Sequence, residues 1–148
     1  MKAVNPYLNF KGNTEEAFNF YKSVFGGEFQ GVMRFRDFGD NSMGIPEHEL
    51  DKIAHIALPL GGGALLMATD VVDGMPGTFT IGTNFYITLE PDTADEARKL
   101  FNALSAGGRT EMPLQATQWA ELYGICGDKF GVQWMVNYTG NVQVGATP

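Results

Sequence analysis

The sequence predicts an α+β fold of two tandem βαβββ modules, forming a curved mixed sheet around a cavity with the helices on the outer face. Three observations predict it. The chain runs through the same order of parts twice, as NPYLNFKGNTEEAFNFYKSVFGGE (Asn5 to Glu28) and NFYITLEPDTADEARKLFNALSAGGR (Asn84 to Arg109). In each copy a period-2 strand crosses a short polar turn into a helix that ends at a Gly-Gly pair. After each helix come three further segments of strand character. One such four-stranded unit buries a helix on one face and leaves the other needing a partner.

The copies correspond residue by residue. Asn5, Tyr7 and Asn9 match Asn84, Tyr86 and Thr88 at a constant offset, and Ala17, Phe20, Tyr21 and Val24 match Ala97, Leu100, Phe101 and Leu104 at an offset one residue longer. The second set has the spacing of one buried helix face, which predicts that Phe20 and Val24 point into the core. Asn13 or Thr14 caps the first helix and Asp92 or Thr93 the second, each followed by acidic residues in the positive first turn. Gly26-Gly27 and Gly107-Gly108 suit left-handed helix ends.

Strands are expected over 29–38, 52–58 and 64–69 in the first module, the last two joined by Gly61-Gly62-Gly63. They are expected over 110–114, 119–124 and 132–137 in the second. The polar stretch 39–50 reads as a loop, with His48-Glu49-Leu50-Asp51 solvated. The expected organisation is a first module over 1–70, a connection over 71–80, a second module over 81–138 and a flexible tail over 139–148.

Composition narrows the function. The 148 residues are 44% hydrophobic and carry a net charge of −7, which argues against nucleic-acid or anionic-membrane partners. No apolar run has transmembrane length. Cys126 is the only cysteine, so no internal disulfide forms, and a cytoplasmic location fits. With only His48 and His55, a three-histidine metal site is excluded.

The segments PYLNFKGNTEEAFNFYKSVFGGE, HIALPLGGGALLMATD and MPLQATQWAELYGICGDKFGVQWMVNY together resemble the vicinal-oxygen-chelate superfamily of glyoxalase I, extradiol dioxygenases and bleomycin-resistance proteins, and within it the PhnB-like branch. The resemblance covers nearly all of residues 1–138. Some PhnB-like sequences are labelled methyltransferases, but no Gly-rich nucleotide loop follows a strand here. In the metalloenzymes of the superfamily, the first and last strand of each module supply metal ligands, which the resemblance carries to Asn5, Met67, Asn84 and Met135. Two amides and two thioethers bring no charge to offset a dication, so no metal or other cofactor is expected.

Strand alternation then gives the expected cavity lining. Gln133 and Met135 face it from the last strand, opposite Trp134. Asn5, Tyr7, Asn9, Asn84, Tyr86 and Thr88 face it from the first strands, and Met67 from the fourth. His55 is the candidate acid–base residue, with burial expected to favour its neutral form. Trp119 is placed as a roof or subunit contact, and Glu121 as the only carboxylate near the second sheet. Cys126 reads as a packing residue.

Three functions follow from these residues and the resemblance. One is a metal-independent binder of a small molecule. The second is an enzyme of lyase, isomerase or dioxygenase type, using His55 or a displaced metal built from His55 and a carboxylate. The third is a structural or regulatory dimer whose cavity is residual. The resemblance also implies a homodimer.

Overall fold

The computed structural model describes residues 1–143 and divides into two compact units, Met1–Thr80 and a second that begins at Ile81. The break falls at the end of the expected connection. Residues 144–148 of the expected tail lie outside the described residues.

The first unit comprises β1 (Tyr7–Phe10), α1 (Thr14–Phe25), β2 (Gln30–Arg34), β3 (Ile53–Gly61) and β4 (Ala64–Asp70). Its sheet has the order β1-β4-β3-β2, with β1 parallel to β4 and the other pairs antiparallel. Alternation holds on β1 and β4: Leu8, Phe10, Leu66 and Ala68 are buried, while Tyr7, Asn9, Met67 and Thr69 are not. The buried set lies on the helix side.

On α1 the buried stripe is Thr14, Ala17, Phe18 and Tyr21, with Phe20 and Val24 only half-buried. The face is rotated from the expected one because Phe18 is fully enclosed by aromatic neighbours. It meets Phe10 at 6.4 Å and Tyr21 at 5.5 Å, both edge-on.

The start of α1 also differs from expectation. Asn13 takes the cap position, but its side chain makes no capping bond. The buried carboxylate of Asp70, at the end of β4, accepts the Thr14 N–H at 3.0 Å and the Ile53 N–H at 2.8 Å. At the other end Gly26, at φ 76°, donates its N–H to Lys22 O as expected of a glycine cap.

The expected strand 29–38 stops at Arg34, and Phe35–Phe38 form a single 3-10 turn. The turn buries Phe35 with Ile45 and Val72, and Leu50, Ala54 and Met75 pack against them. Ile45 thus anchors the 39–50 segment, which holds a second 3-10 turn at Glu47–Glu49. Its charges are paired rather than only solvated: Arg36 bonds both Glu47 (3.2 Å) and Asp51 (2.9 Å).

The second unit repeats the topology with β5 (Ile87–Leu89), α2 (Ala94–Ser105), β6 (Arg109–Gln115), β7 (Leu122–Gly127) and β8 (Gln133–Tyr138), in the order β5-β8-β7-β6 with β5 parallel to β8. Thr93 caps α2, accepting the Glu96 N–H at 3.1 Å. Ala97, Phe101 and Leu104 are buried as the periodicity requires.

Three expectations shift here. β5 has only three residues, because the Gln133 side chain donates to Phe85 O at 2.6 Å where a sheet ladder would otherwise run. The seventh strand starts at Leu122, so Trp119 lies in the preceding turn. The helix ends at Ala106 in extended backbone rather than at a glycine; Gly108 is needed for close approach, since a Cβ there would collide with the backbone of Gly127 and Asp128.

Trp134, Val136 and Cys126 are fully enclosed. The Trp134 indole N–H donates to the buried Asp128 carboxylate at 2.9 Å. Asp128 also accepts the N–H groups of Phe130 and Val132, which fixes the turn into β8.

Candidate functional site

In each unit the sheet face opposite the helix gathers thioether, phenol and other polar side chains. On the first unit, register sets Tyr7 beside Met67 and Met67 beside Ala57, with Asn9 beside Thr69 one step on. His55 lies opposite Met33 of β2. Tyr7 leans diagonally across the sheet until its hydroxyl is 3.3 Å from His55 Nδ1, with ring centroids 5.9 Å apart. Which of the two donates depends on the imidazole tautomer. Partial burial raises the Tyr7 pKa above the ordinary phenol value.

The remaining first-unit residues hold the sheet together. Asn5 precedes β1, and its side-chain oxygen accepts the Leu65 N–H at 2.9 Å, extending the ladder. Thr69 donates to Ile53 O at 3.3 Å. Asn9 is exposed.

On the second unit, Thr88, Met135 and Ile125 form one row across the sheet. Tyr123 donates to Met135 Sδ at 3.2 Å, and Trp119 stands edge-on to Tyr123 at 5.2 Å. The adjacent row is polar. Arg109 donates to Glu111 at 2.7 Å and to Gln133 at 3.0 Å, and Tyr86 donates to the other Glu111 oxygen at 2.8 Å. The bond to Tyr86, then that to Arg109, holds the Glu111 carboxyl below its usual range, and the same contact with Glu111, with burial, pushes the Tyr86 hydroxyl up. Asn84 is exposed ahead of β5.

Glu121 therefore is not the only carboxylate near the second sheet; Glu111 lies on it. Glu121 instead accepts the Asn141 N–H at 3.0 Å, while its own N–H donates to Thr139 O, so Thr139–Asn141 are tied back to the start of β7. The sequence reasoning missed Arg109, Glu111 and the role of Tyr123. A signal for the first two was available: they stand two residues apart at the start of β6, so alternation puts both on one face.

Among the described residues, the His, Cys, Asp and Glu side chains close enough to share a metal ion are His48, Glu49 and Asp73, whose ligand atoms all lie within 4.8 Å of one another. They sit on the 3-10 turn and the connection, off the sheet face, and do not include His55. Burial pushes the Cys126 thiol up to about 11. No helix among the described residues is long and apolar enough to cross a membrane.

A helix packed on one face of a mixed four-stranded sheet recurs in both units, so the chain is a two-module α+β protein with a methionine at matching positions of the two sheets. The chain belongs to the family whose profile is described as 3-demethylubiquinone-9 3-methyltransferase, which matches residues 2–137. It is 30% identical to protein YjdN of Escherichia coli (strain K12), over 90% of this chain and 93% of that one. Among solved structures it is similar to PA1353 from Pseudomonas aeruginosa (39% identity, TM-score 0.79, 91% of this chain and 96% of that chain). It is also similar to the PhnB protein from Bacillus cereus (26% identity, TM-score 0.73, 91% and 98%). A glyoxylase/bleomycin resistance protein/dioxygenase domain from Frankia sp. EAN1pec shares the fold at 12% identity, with a TM-score of 0.61 over 95% of this chain and 97% of that one.

Proposed function

We propose that this protein binds a small, partly aromatic molecule against its open sheet faces without the superfamily metal. The observation that carries this is the matched pair of thioethers, each beside an aromatic hydroxyl: Met67 next to Tyr7, and Met135 under Tyr123. Thioethers and aromatic rings make an adaptable apolar floor, and hydroxyls and amides at its margin give orientation.

The residues at the superfamily ligand positions do not fit a hard or borderline dication. Asn5 spends its oxygen on Leu65 N–H, and the Met135 sulfur accepts from Tyr123. Met67 and Met135 are soft donors, and none of the four positions carries a charge. The family description names a methyltransferase. That activity is no part of this reading, because neither strand–helix turn is glycine-rich and neither sheet is doubly wound.

The test uses protein labelled with 13C at the methionine methyls, of which the chain has seven. Titration with a neutral aromatic amide such as benzamide is expected to move the Met67 and Met135 signals and leave Met1 in place. If no methyl on either sheet face responds to aromatic probes, the binding reading falls and the residual-cavity reading stands.

One observation favours a catalytic reading, the 3.3 Å approach of Tyr7 to His55 Nδ1. An imidazole whose Nδ1–H donates to the phenol leaves Nε2 free to take a proton from a bound substrate. In that case His55→Gln retains probe binding and removes turnover. We also propose a homodimer, supported by the exposed apolar side chains of Val32, Met33, Ile81, Phe85 and Trp119. Light scattering that returns a single-chain mass would reject it.

A further inference from the structure

We propose that the ligand presents a carbonyl oxygen conjugated to its ring, as in a neutral aryl ketone or amide, and that the hydroxyls of Tyr123 and Thr88 receive that oxygen above Met135. The inference rests on the sheet-face binding reading and adds the ligand's chemical class and the residues that select it.

Met135 is half-buried on the open face of the second unit, between Thr88 of β5 and Ile125 of β7. Two hydroxyls converge on its sulfur, Tyr123 at 3.2 Å and Thr88 at 3.8 Å. A thioether is a weak acceptor. Both donors are therefore held on a partner that a ligand oxygen improves on. The fold does not impose this convergence. On the first unit Met67 takes the matching place with Tyr7 beside it, yet the Tyr7 hydroxyl lies against His55. Among the described residues no hydroxyl is bonded to the Met67 sulfur.

Thr88 and Tyr123 approach Met135 from opposite sides, because β5 and β7 flank β8. A hydroxyl turns about its C–O bond without moving the backbone, so both can swing from the sulfur to one oxygen lying on it. A carbonyl oxygen has two lone pairs, one for each donor. The ligand's ring then lies over Met135 and Ile125, beside Trp119, which is exposed and stands edge-on to Tyr123. The adjacent polar row asks for no charge on the ligand, since Arg109, Glu111, Tyr86 and Gln133 are already paired with one another. A ligand of the same shape without the oxygen would cover both hydroxyls and leave them on the sulfur, cut off from water, which costs affinity.

The experiment titrates acetophenone and α-methylstyrene, the same skeleton with a methylene in place of the carbonyl oxygen, into methionine-labelled protein and follows the Met135 methyl. The quantity read is the ratio of the two affinities, so the general apolar contribution cancels between wild type and variants. Tyr123→Phe, which keeps the ring beside Trp119, is expected to lower the acetophenone preference about tenfold. Thr88→Val, which removes the longer of the two bonds, is expected to lower it about threefold. A ratio that either variant leaves unchanged overturns the assignment while leaving sheet-face binding intact. If neither probe moves any methionine methyl on the sheet faces, the binding reading itself fails. Should Tyr123→Phe not fold, Thr88→Val at the exposed edge strand decides alone.

Discussion

The two units share one topology and differ in how they fix it. The first caps its helix from a distance: Asp70 on β4 reaches Thr14, 56 residues earlier in the chain, and also holds Ile53 of β3. The second caps its helix locally through Thr93 and spends its buried carboxylate, Asp128, on the turn and indole that seat β8. The open faces differ in the same sense. The first carries a phenol–imidazole pair, the second a charged and tethered array. A duplicated fold thus keeps its pairing pattern while the polar residues that support it are reassigned.

Four tests would break or sharpen this contrast. The largest effect is expected from Trp134→Ala. It empties a fully buried site and orphans one Asp128 oxygen, costing about 4 kcal/mol in urea unfolding. Loss below 1 kcal/mol would mean that β8 is not the core strand of its unit.

Next is Asp70→Ala against Thr93→Ala. The long-range cap should cost about 3 kcal/mol, because two buried N–H groups lose their acceptor. The local cap should cost about 1 kcal/mol. Equal losses would erase the contrast between the helices.

The third concerns Cys126, whose folded pKa of about 11 lies above its unfolded value near 9. The unfolded thiol ionises first, so its contribution is fully present below pH 9 and is lost as pH rises through 11. Wild type is expected to lose on the order of 2 kcal/mol more than Cys126→Ala across that window. Parallel pH profiles would contradict the burial of this thiol.

The smallest effect is expected from Thr14→Val. The Thr14 hydroxyl is buried without a hydrogen-bond partner among the described residues, so the change should fall within about 0.5 kcal/mol of neutral. A loss above 1 kcal/mol would mean that this hydroxyl does bond.

Much of the fold was legible because it is periodic. Leu8 and Phe10 alternate with Tyr7 and Asn9, and Ala97, Phe101 and Leu104 recur at helical spacing. What was not legible depends on distant partners. The α1 face turned toward Phe18 because Phe10 waits there, and nothing in the sequence around Asp70 points to Thr14. The site divides in the same way. Met67 and Met135 followed from the resemblance, and the structure puts each beside a tyrosine. Arg109 and Glu111 were overlooked because a charged pair after a Gly-Gly turn reads as surface, and only the bonds to Tyr86 and Gln133 set it apart.

The most direct test of the metal-free reading is elemental analysis of protein purified without chelator, with His48→Ala alongside to remove the exposed His48, Glu49 and Asp73 group. Far less than one equivalent of nickel, zinc, manganese or iron per chain is expected in that variant. One equivalent that survives His48→Ala and is released by Met135→Ala or Asn84→Ala would contradict it.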